Sequence, residues 1–245
     1  MINNSFDHYI LIRFNLSLKW LSNKKNNNIN KNLDEEWLNI RFGLFKENLY
    51  KSLLAQDNKN AKVLVGMHRD TPVLFLNKMY ELLCDDFFEI VLIETPDNFK
   101  FNIDSKKKYI ITTRIDSDDL VHNNFISVIQ ENFVPIDMLV LNPMPLLYNF
   151  MKPDRVFLFK NETFTNQFIS LIEENKEILR TVYFCNHTKV YDRGCIIKDI
   201  FNKKKEPLAI WNIHGGNTLK INDNPLKISD SLFSLYNDFD IQKYI

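Results

Sequence analysis

Buried strands and amphipathic helices alternate through the first 135 residues, and this alternation limits the chain to an α/β architecture. The strands are short continuous apolar runs, typical of a parallel sheet that is covered on both faces. Segments whose apolar residues have helical spacing accompany them. The predicted strands cover residues 8–14, 61–67, 87–94 and 109–115, and the predicted helices begin at Asp34, Pro72 and Asn123. A doubly wound, mostly parallel sheet is the expected result.

The remaining residues have a mixed pattern, with short strands and one helix. The predicted strands cover residues 138–141, 146–150, 156–159, 181–185 and 208–213, and the predicted helix covers 165–174. Between the first strand and the first helix, residues 22–32 are almost all polar, which predicts a mobile loop. No linker or repeat separates the two parts of the chain. We therefore predict one domain over 1–245, with a first half (1–135) and a second half (136–245).

The composition excludes several classes of protein. Hydrophobic residues make up 45% of the chain, which excludes wholesale disorder, and the 31 basic and 31 acidic residues lack the excess of positive charge typical of nucleic-acid binders. Three scattered cysteines predict reduced thiols and a cytoplasmic protein. We find no leader pattern and no apolar run of the roughly 18 residues that a membrane span needs. Cys185, His187 and Cys195 lack a fourth ligand for zinc.

Three carboxylates lie within four residues at the end of the fourth predicted strand: Asp116, Asp118 and Asp119. Apart from Arg114, no cation is near them in sequence, so they are expected to repel one another. Hard divalent cations such as Mg²⁺ and Mn²⁺ bind carboxylate oxygens, and ligand sites of open α/β sheets lie beyond the carboxyl ends of strands. The cluster therefore predicts a clamp for a metal ion and a diphosphate.

A simpler interpretation of the cluster remains open: Asp119 lies near the start of the next predicted helix and could be part of a capping cluster. The two interpretations differ in what the removal of one charge does. If the acids only repel one another, Asp118→Asn leaves the stability of the unliganded protein level or raises it. If Asp118 caps a helix or pairs with a cation, the stability falls.

Several segments, in order along residues 7–217, resemble the bacterial rhamnosyltransferases, a glycosyltransferase family with the A-type nucleotide-sugar-transferase fold. They are His8-Tyr-Ile-Leu-Ile-Arg-Phe-Asn15, Trp37-Leu-x-x-Arg-Phe-x-Leu-Phe45, Asp70-Thr-Pro72, Thr113-Arg-Ile-Asp-Ser-Asp-Asp119, Phe168-Ile-Ser-Leu-Ile-Glu173, Thr181-Val-Tyr183 and His214-Gly-Gly-Asn217. The segment before Asp70, Gly66-Met-His-Arg, departs from the family pattern and leaves the nucleotide base undefined. The resemblance implies a nucleotide-sugar-binding first half and an acceptor-side second half.

The resemblance also implies roles for residues in the first half. Asp116, Asp118 and Asp119 would hold the metal, or one of them the ribose. Arg13 and Arg114 leave their strands on the same side of the sheet, and their planar guanidinium groups suit phosphate oxygens; a surface ion pair is the alternative for Arg13. Asp70 would contact the base or ribose, although it could equally precede the helix that begins at Pro72. Arg41, on an apolar helical face, is expected to pair with a carboxylate in the packing.

The second half supplies the remaining candidates. His214 precedes two glycines, which allow close approach of the backbone to a phosphate, and is expected near the aspartates as a further metal or diphosphate ligand. Asn217 would complete the diphosphate contacts, and His187 fits either a site or the core. Glu173 is the candidate for the base that accepts the acceptor's proton, against the alternative of a solvated helix end. Glu162 and Asp192 are its reserves.

We therefore predict a glycosyltransferase that uses Mn²⁺ or Mg²⁺ to move a sugar, such as rhamnose, from a nucleoside-diphosphate sugar to a glycan or glycolipid. The expected partners are these two substrates, with peripheral contact to a membrane-bound acceptor and none to nucleic acid. Two alternatives remain. A metal-dependent phosphohydrolase or nucleotidyltransferase could use the same aspartates, but would need a second acidic cluster. A non-catalytic nucleotide- or carbohydrate-binding protein could retain the site.

Overall fold

A seven-stranded sheet forms the centre of the protein, for which a computed structural model describes residues 5–16, 31–94, 101–151, 154–159, 165–214, 233–235 and 240–245. The strands are β1 (Phe6–Arg13), β2 (Lys62–His68), β3 (Phe88–Ile93), β4 (Tyr109–Asp116), β5 (Leu120–Val121), β6 (Leu139–Pro143), β7 (Leu146–Met151), β8 (Asp154–Phe159), β9 (Ser170–Glu174), β10 (Ile196–Ile200), β11 (Ala209–Ile213) and β12 (Phe233–Leu235). The large sheet has the order β10-β6-β9-β4-β1-β2-β3. Every strand in it is parallel to β1 except β9. The predicted α/β class with a mostly parallel sheet is confirmed.

Four α-helices accompany the strands in the described residues: α1 (Glu35–Phe45), α2 (Lys51–Leu54), α3 (Val73–Leu82) and α4 (Phe125–Glu131). The helix α1 begins where expected, since the Asp34 carboxylate accepts a hydrogen bond from the Trp37 backbone N–H at 3.0 Å. A π-helical turn, Lys46–Tyr50, joins α1 to α2. The sequence did not predict this turn, and Ile40, expected on the apolar stripe, is 60% exposed.

Both faces of the large sheet are buried. On one face, Ile10 and Ile12 of β1 belong to the main hydrophobic core with residues of α1, α3 and α4. On the other face, Leu11 and its neighbours are covered by Phe101, Val182 and other residues outside the helices. The alternation of side chains along β1 explains this division, since successive residues of a strand point to opposite faces.

A second sheet, with the order β12-β8-β7-β11-β5, contains most of the predicted strands of the second half. The short strand β5 follows β4 after three residues and pairs antiparallel with β11, with Ile210 opposite Leu120. The chain therefore passes from the large sheet into the small one through Ser117, Asp118 and Asp119. The same pairing directs the end of β11 towards this connection.

Two predictions for the second half are wrong, and one strand was missed. The predicted helix at 165–174 contains β9 instead, and residues 181–185 form turns rather than a strand. Because β9 is buried between β4 and β6, its apolar run has no exposed face whose period could distinguish strand from helix. The missed strand is β10, at the edge of the sheet. Residues 22–30 of the predicted loop lie outside the described residues.

In the part of the chain that the structure describes, no helix is long and apolar enough to cross a membrane.

Candidate active site

The predicted site residues of the first half lie at the edge of the large sheet where β1, β2 and β4 end. The register places Arg13, the last residue of β1, beside Asp116, the last residue of β4, and beside Gly66 of β2. Two residues earlier, Leu11 pairs with Arg114, so Arg13, Arg114 and Asp116 all point to the same face. We call this end of the sheet the carboxyl edge; in open α/β sheets it is where ligands bind.

Asp116 is held between two arginines. The Arg13 Nη2 lies 3.0 Å from the Asp116 Oδ1, and the Arg114 Nη2 lies 3.4 Å from the same oxygen. Burial raises the pKa of Asp116, but the guanidinium groups of Arg114 and Arg13 outweigh this effect and hold that pKa well below its usual range. Asp116 is therefore a carboxylate at any physiological pH.

Asp118 pairs with two cation-forming groups from distant parts of the chain. Its Oδ2 lies 2.6 Å from the Arg41 Nη1 and accepts a hydrogen bond from the His214 Nε2 at 2.8 Å. The prediction that Arg41 pairs with a carboxylate is thus confirmed, as is the expectation that His214 lies near the aspartates. The connection to β11 explains the second contact, because the antiparallel pairing of β11 with β5 returns the chain alongside Asp118.

Asp119 is fully buried and has the least complete set of partners. Its Oδ1 accepts a hydrogen bond from the Asn212 backbone N–H at 3.0 Å. Its Oδ2 has no hydrogen-bond partner among the described residues. Burial, followed by the charges of Asp118 and Asp116, raises the pKa of Asp119 well above its ordinary value. This carboxyl group is therefore the place in the cluster where a bound cation would have most effect.

The three acids are more fully compensated than expected from the sequence. That expectation gave Arg114 as the only nearby cation, whereas the structure adds Arg13 from β1 and Arg41 from α1. Both lie more than 70 residues away along the chain, so local sequence does not show the pairing. Asn212, which also donates from Nδ2 to the Asp118 backbone carbonyl at 2.7 Å, was missed as well; its position two residues before His214 is the signal that could have found it.

Two aromatic side chains contact the arginines and were not among the predicted site residues. The Tyr183 ring lies under both guanidinium groups, 4.9 Å from the Arg13 Cζ and 5.5 Å from the Arg114 Cζ. The His187 Nδ1 accepts a hydrogen bond from the Arg114 Nη1 at 3.2 Å, which places the ring proton on Nε2. Burial, followed by the charge of Arg114, lowers the pKa of His187 to about 3. His187 therefore belongs to the site as a neutral ring.

The structure separates Glu173 from the other predicted site residues. Glu173 pairs with Ile110 in the antiparallel β4–β9 register, six residues before Asp116, which is about 20 Å along the strand. Its two carboxylate oxygens accept hydrogen bonds from the backbone N–H groups of Arg180 and Thr181, at 2.9 and 2.8 Å. The predicted role as the base at the aspartate site does not agree with this position. The reserve Asp192 is exposed and pairs with Lys189 at 3.4 Å.

Asp70 lies at the carboxyl edge, just after β2, but its side chain is 74% exposed. It does not cap α3, since the residue at the cap position is Pro72 and no side chain bonds to the free N–H groups there. Asp70 is therefore available to a ligand from solvent. Asn217 and Glu162 lie outside the described residues.

The fit of a divalent cation depends on these same side chains. Within the described ranges, no three His, Cys, Asp or Glu side chains are gathered closely enough to hold a metal ion, and Arg13, Arg114 and Arg41 occupy oxygens of Asp116 and Asp118. The chemistry of the donor set nevertheless fits, since carboxylate oxygens and one imidazole suit Mn²⁺ and the carboxylates suit Mg²⁺. The buried, unpartnered Asp119 Oδ2 is the observation that favours a cation.

Comparisons with known proteins support an assignment for this arrangement. The family model described as "Putative rhamnosyl transferase" matches residues 7–150, more than half of the chain. This range includes the three aspartates and their arginine partners. Comparison with curated proteins finds no match. A crystal structure of S. aureus TarS is similar over 57% of this chain and 21% of that chain, with 16% sequence identity and a TM-score of 0.29. The chain thus spans about a fifth of that structure, a likeness too partial to support a conclusion about function.

Proposed function

The chain belongs to the rhamnosyl transferase family, which makes it a glycosyltransferase, and from this premise we propose that it moves a sugar from a nucleoside-diphosphate sugar to a glycan or glycolipid acceptor. Rhamnose is the proposed sugar. The observation that carries the proposal is the cluster of Arg13 and Arg114 with Asp116 at the carboxyl edge of the sheet. It combines cations for a diphosphate with acids for a metal at one position.

The arginines are suited to the leaving group. When the bond to the sugar breaks, negative charge develops on the diphosphate, and fixed cations near that charge stabilise the transition state. Arg13 and Arg114 each present a planar guanidinium group that can donate two parallel hydrogen bonds to phosphate oxygens. Both have an Nε atom that is buried without a hydrogen-bond partner among the described residues, so each retains a donor for a ligand.

We propose that Mn²⁺ or Mg²⁺ is held by Asp116, Asp118 and Asp119, with His214 as a further ligand. Such an ion would supply additional positive charge beside the leaving diphosphate. The proposal is supported by the oxygen-rich donor set and by the unpartnered oxygen of Asp119. Because imidazole is a better ligand for Mn²⁺ than for Mg²⁺, we expect Mn²⁺ to bind more tightly.

The remaining parts of the substrates fall to residues around this cluster. We propose that the exposed Asp70 contacts the base or ribose and that Asn217 contacts the diphosphate. The acceptor would approach from the second half of the chain, at a membrane surface where it is a glycolipid. We place the reaction in the cytoplasm, since Cys84, Cys185 and Cys195 are all free thiols and reduced thiols persist there.

A thermal-shift panel tests the proposal. UDP, GDP, dTDP and their sugar conjugates would be added to the protein with and without Mn²⁺. We expect at least one nucleotide sugar to raise the melting temperature, more strongly with Mn²⁺, and Arg114→Gln to remove most of the shift. Arg180→Gln, at an exposed arginine in the turn after β9, is the matched control and should retain the shift. Stabilisation by inorganic phosphate alone, with release of phosphate from nucleotides, would instead indicate a phosphohydrolase.

A further inference from the structure

The loop that carries Tyr183 is fixed to the large sheet at several points. The Glu173 carboxylate accepts the two hydrogen bonds from Arg180 and Thr181, and the Val182 backbone N–H donates to the Thr112 Oγ1 at 2.8 Å. Val182 itself is buried in the core that covers this face. The chain around residues 180–182 is thus attached to both β9 and β4.

The Tyr183 ring is itself fixed in position. Its hydroxyl donates a hydrogen bond to the Leu11 backbone carbonyl of β1 at 3.0 Å. The ring stacks on Phe101, with a centroid distance of 6.3 Å and an interplanar angle of 24°. A tyrosine that is held by its hydroxyl and by a stacked neighbour offers a rigid surface to whatever contacts the rest of the ring.

Two like-charged side chains share that surface. The Arg13 and Arg114 side chains are 11% and 4% exposed, and both guanidinium carbons lie within 5.5 Å of the Tyr183 ring centroid. Two neighbouring cations repel each other, and each long side chain gains freedom by moving apart. The negative face of the aromatic ring and the carboxylate of Asp116 offset this repulsion. The ring therefore keeps the two guanidinium groups together on one side of Asp116.

We infer that Tyr183 is a positioning residue that holds Arg13 and Arg114 ready to bind a diphosphate. The inference rests on the proposed function of the site, and Tyr183 itself need not touch the substrate. A ligand that meets two arginines already in place does not have to order them, and this preorganisation increases affinity. Loss of the ring should weaken diphosphate binding by about tenfold, in line with cation–π contacts to two partly desolvated guanidinium groups.

The test is a calorimetric titration of inorganic pyrophosphate and of UDP, GDP and dTDP into four proteins. They are the wild type, Tyr183→Phe, Tyr183→Trp and Tyr183→Leu. We expect the phenylalanine and tryptophan variants to bind within about threefold of the wild type, because they keep an aromatic face. The leucine variant should bind about tenfold more weakly. Phe101→Leu is the control, since it removes a ring of the same face that contacts Tyr183 rather than the arginines.

A second variant covers the case in which Tyr183→Leu does not fold. Pentafluorophenylalanine incorporated at Tyr183 keeps the shape of the ring and removes the negative charge of its face. We expect it to bind pyrophosphate as weakly as the leucine variant, while its melting temperature stays close to that of Tyr183→Phe.

Three results would overturn the inference. Equal affinity in the phenylalanine and pentafluorophenylalanine proteins would show that the charge of the ring face has no role. Equal weakening by Tyr183→Phe and Tyr183→Leu would assign the effect to the hydroxyl. In both cases the wild type still binds, so the proposed function stands. A wild-type protein that binds none of the four probes would contradict the proposed function together with this inference.

Discussion

Asp116, Asp118 and Asp119 are close neighbours in the sequence, yet their surroundings differ. Asp116 lies between two arginines, Asp118 pairs with an arginine and a histidine, and Asp119 is buried with one unpartnered oxygen. The sequence was sufficient to locate the cluster and its position after β4. It was insufficient to assign partners, because Arg13 and Arg41 reach the cluster only through strand pairing and helix packing.

The ion pairs reverse one expectation drawn from the sequence. Asp118→Asn leaves Arg41, only 22% exposed, without its carboxylate at 2.6 Å, and this outweighs relief of repulsion between acids. We expect the unliganded variant to lose about 1–3 kcal/mol of unfolding free energy, a few degrees or more in melting temperature. Calorimetric scans without ligand measure this.

The matched control for Asp118→Asn is Asp192→Asn, which removes an exposed ion pair with Lys189. Exposed pairs contribute little, so its melting temperature should not change. An unchanged or raised melting temperature in Asp118→Asn itself would show that repulsion between the acids dominates after all.

A buried histidine at the centre of the sheet gives the stability a defined pH dependence. His8 donates from Nε2 to the Thr113 Oγ1 at 2.8 Å and accepts at Nδ1 from the Gln130 Nε2 at 3.3 Å, so it is neutral. Burial lowers the pKa of His8 to about 3, from 6.5. The unfolded chain therefore binds the proton more readily, and this contribution to stability is complete above about pH 6.5 and is lost as the pH falls towards 3.

We expect His8 to account for about 2 kcal/mol of the stability lost between pH 7 and pH 5. Urea unfolding of the wild type and of His8→Gln at both pH values measures this. In the variant, the difference between the two pH values should shrink by about that amount. Parallel losses in the two proteins would show that other groups cause the pH dependence.

At the scale of single elements, β9 shows why the second half was harder to predict than the first. The strands β1, β2, β3 and β4 were predicted within two residues at each end, because apolar runs bounded by polar turns identify them. The same kind of run in β9 was assigned to a helix, because a short segment that is buried on both faces has no diagnostic period. That error placed Glu173 on a solvated helix end, whereas it anchors a buried turn.

The position of Glu173 leads to a prediction about its function. Glu173→Gln retains one oxygen for the backbone N–H groups of Arg180 and Thr181 and loses the other. We expect a loss of about 1 kcal/mol of stability and a fall in kcat of less than tenfold. Removal of a general base costs about 10²–10⁴-fold. Steady-state kinetics together with thermal unfolding separate the two roles, with Glu174→Gln on the same strand as the control; a loss of 100-fold or more at unchanged stability would restore Glu173 as the base.

At the scale of the whole molecule, the site is built from both ends of the chain. Arg13 comes from the first strand, the acids from the fourth, and His214 from the end of β11 in the second sheet. The general rule that ligands bind beyond the carboxyl ends of parallel strands was enough to predict this edge. The second sheet, which returns His214 to it, could be predicted only through the resemblance to a family.

The location of the donor is the central claim, and the opposite edge of the sheet offers a competing place. A groove of about 760 Å³ lies there, lined by Lys59, Lys62 and Lys107 among others. Hydrogen–deuterium exchange with and without the nucleotide sugar that most stabilises the protein distinguishes the two edges. We expect slower exchange in residues 14–16, 66–71 and 117–122 at the carboxyl edge, and no change in residues 59–62 and 104–108. Protection confined to residues 59–62 and 104–108 would contradict the assignment of the active site.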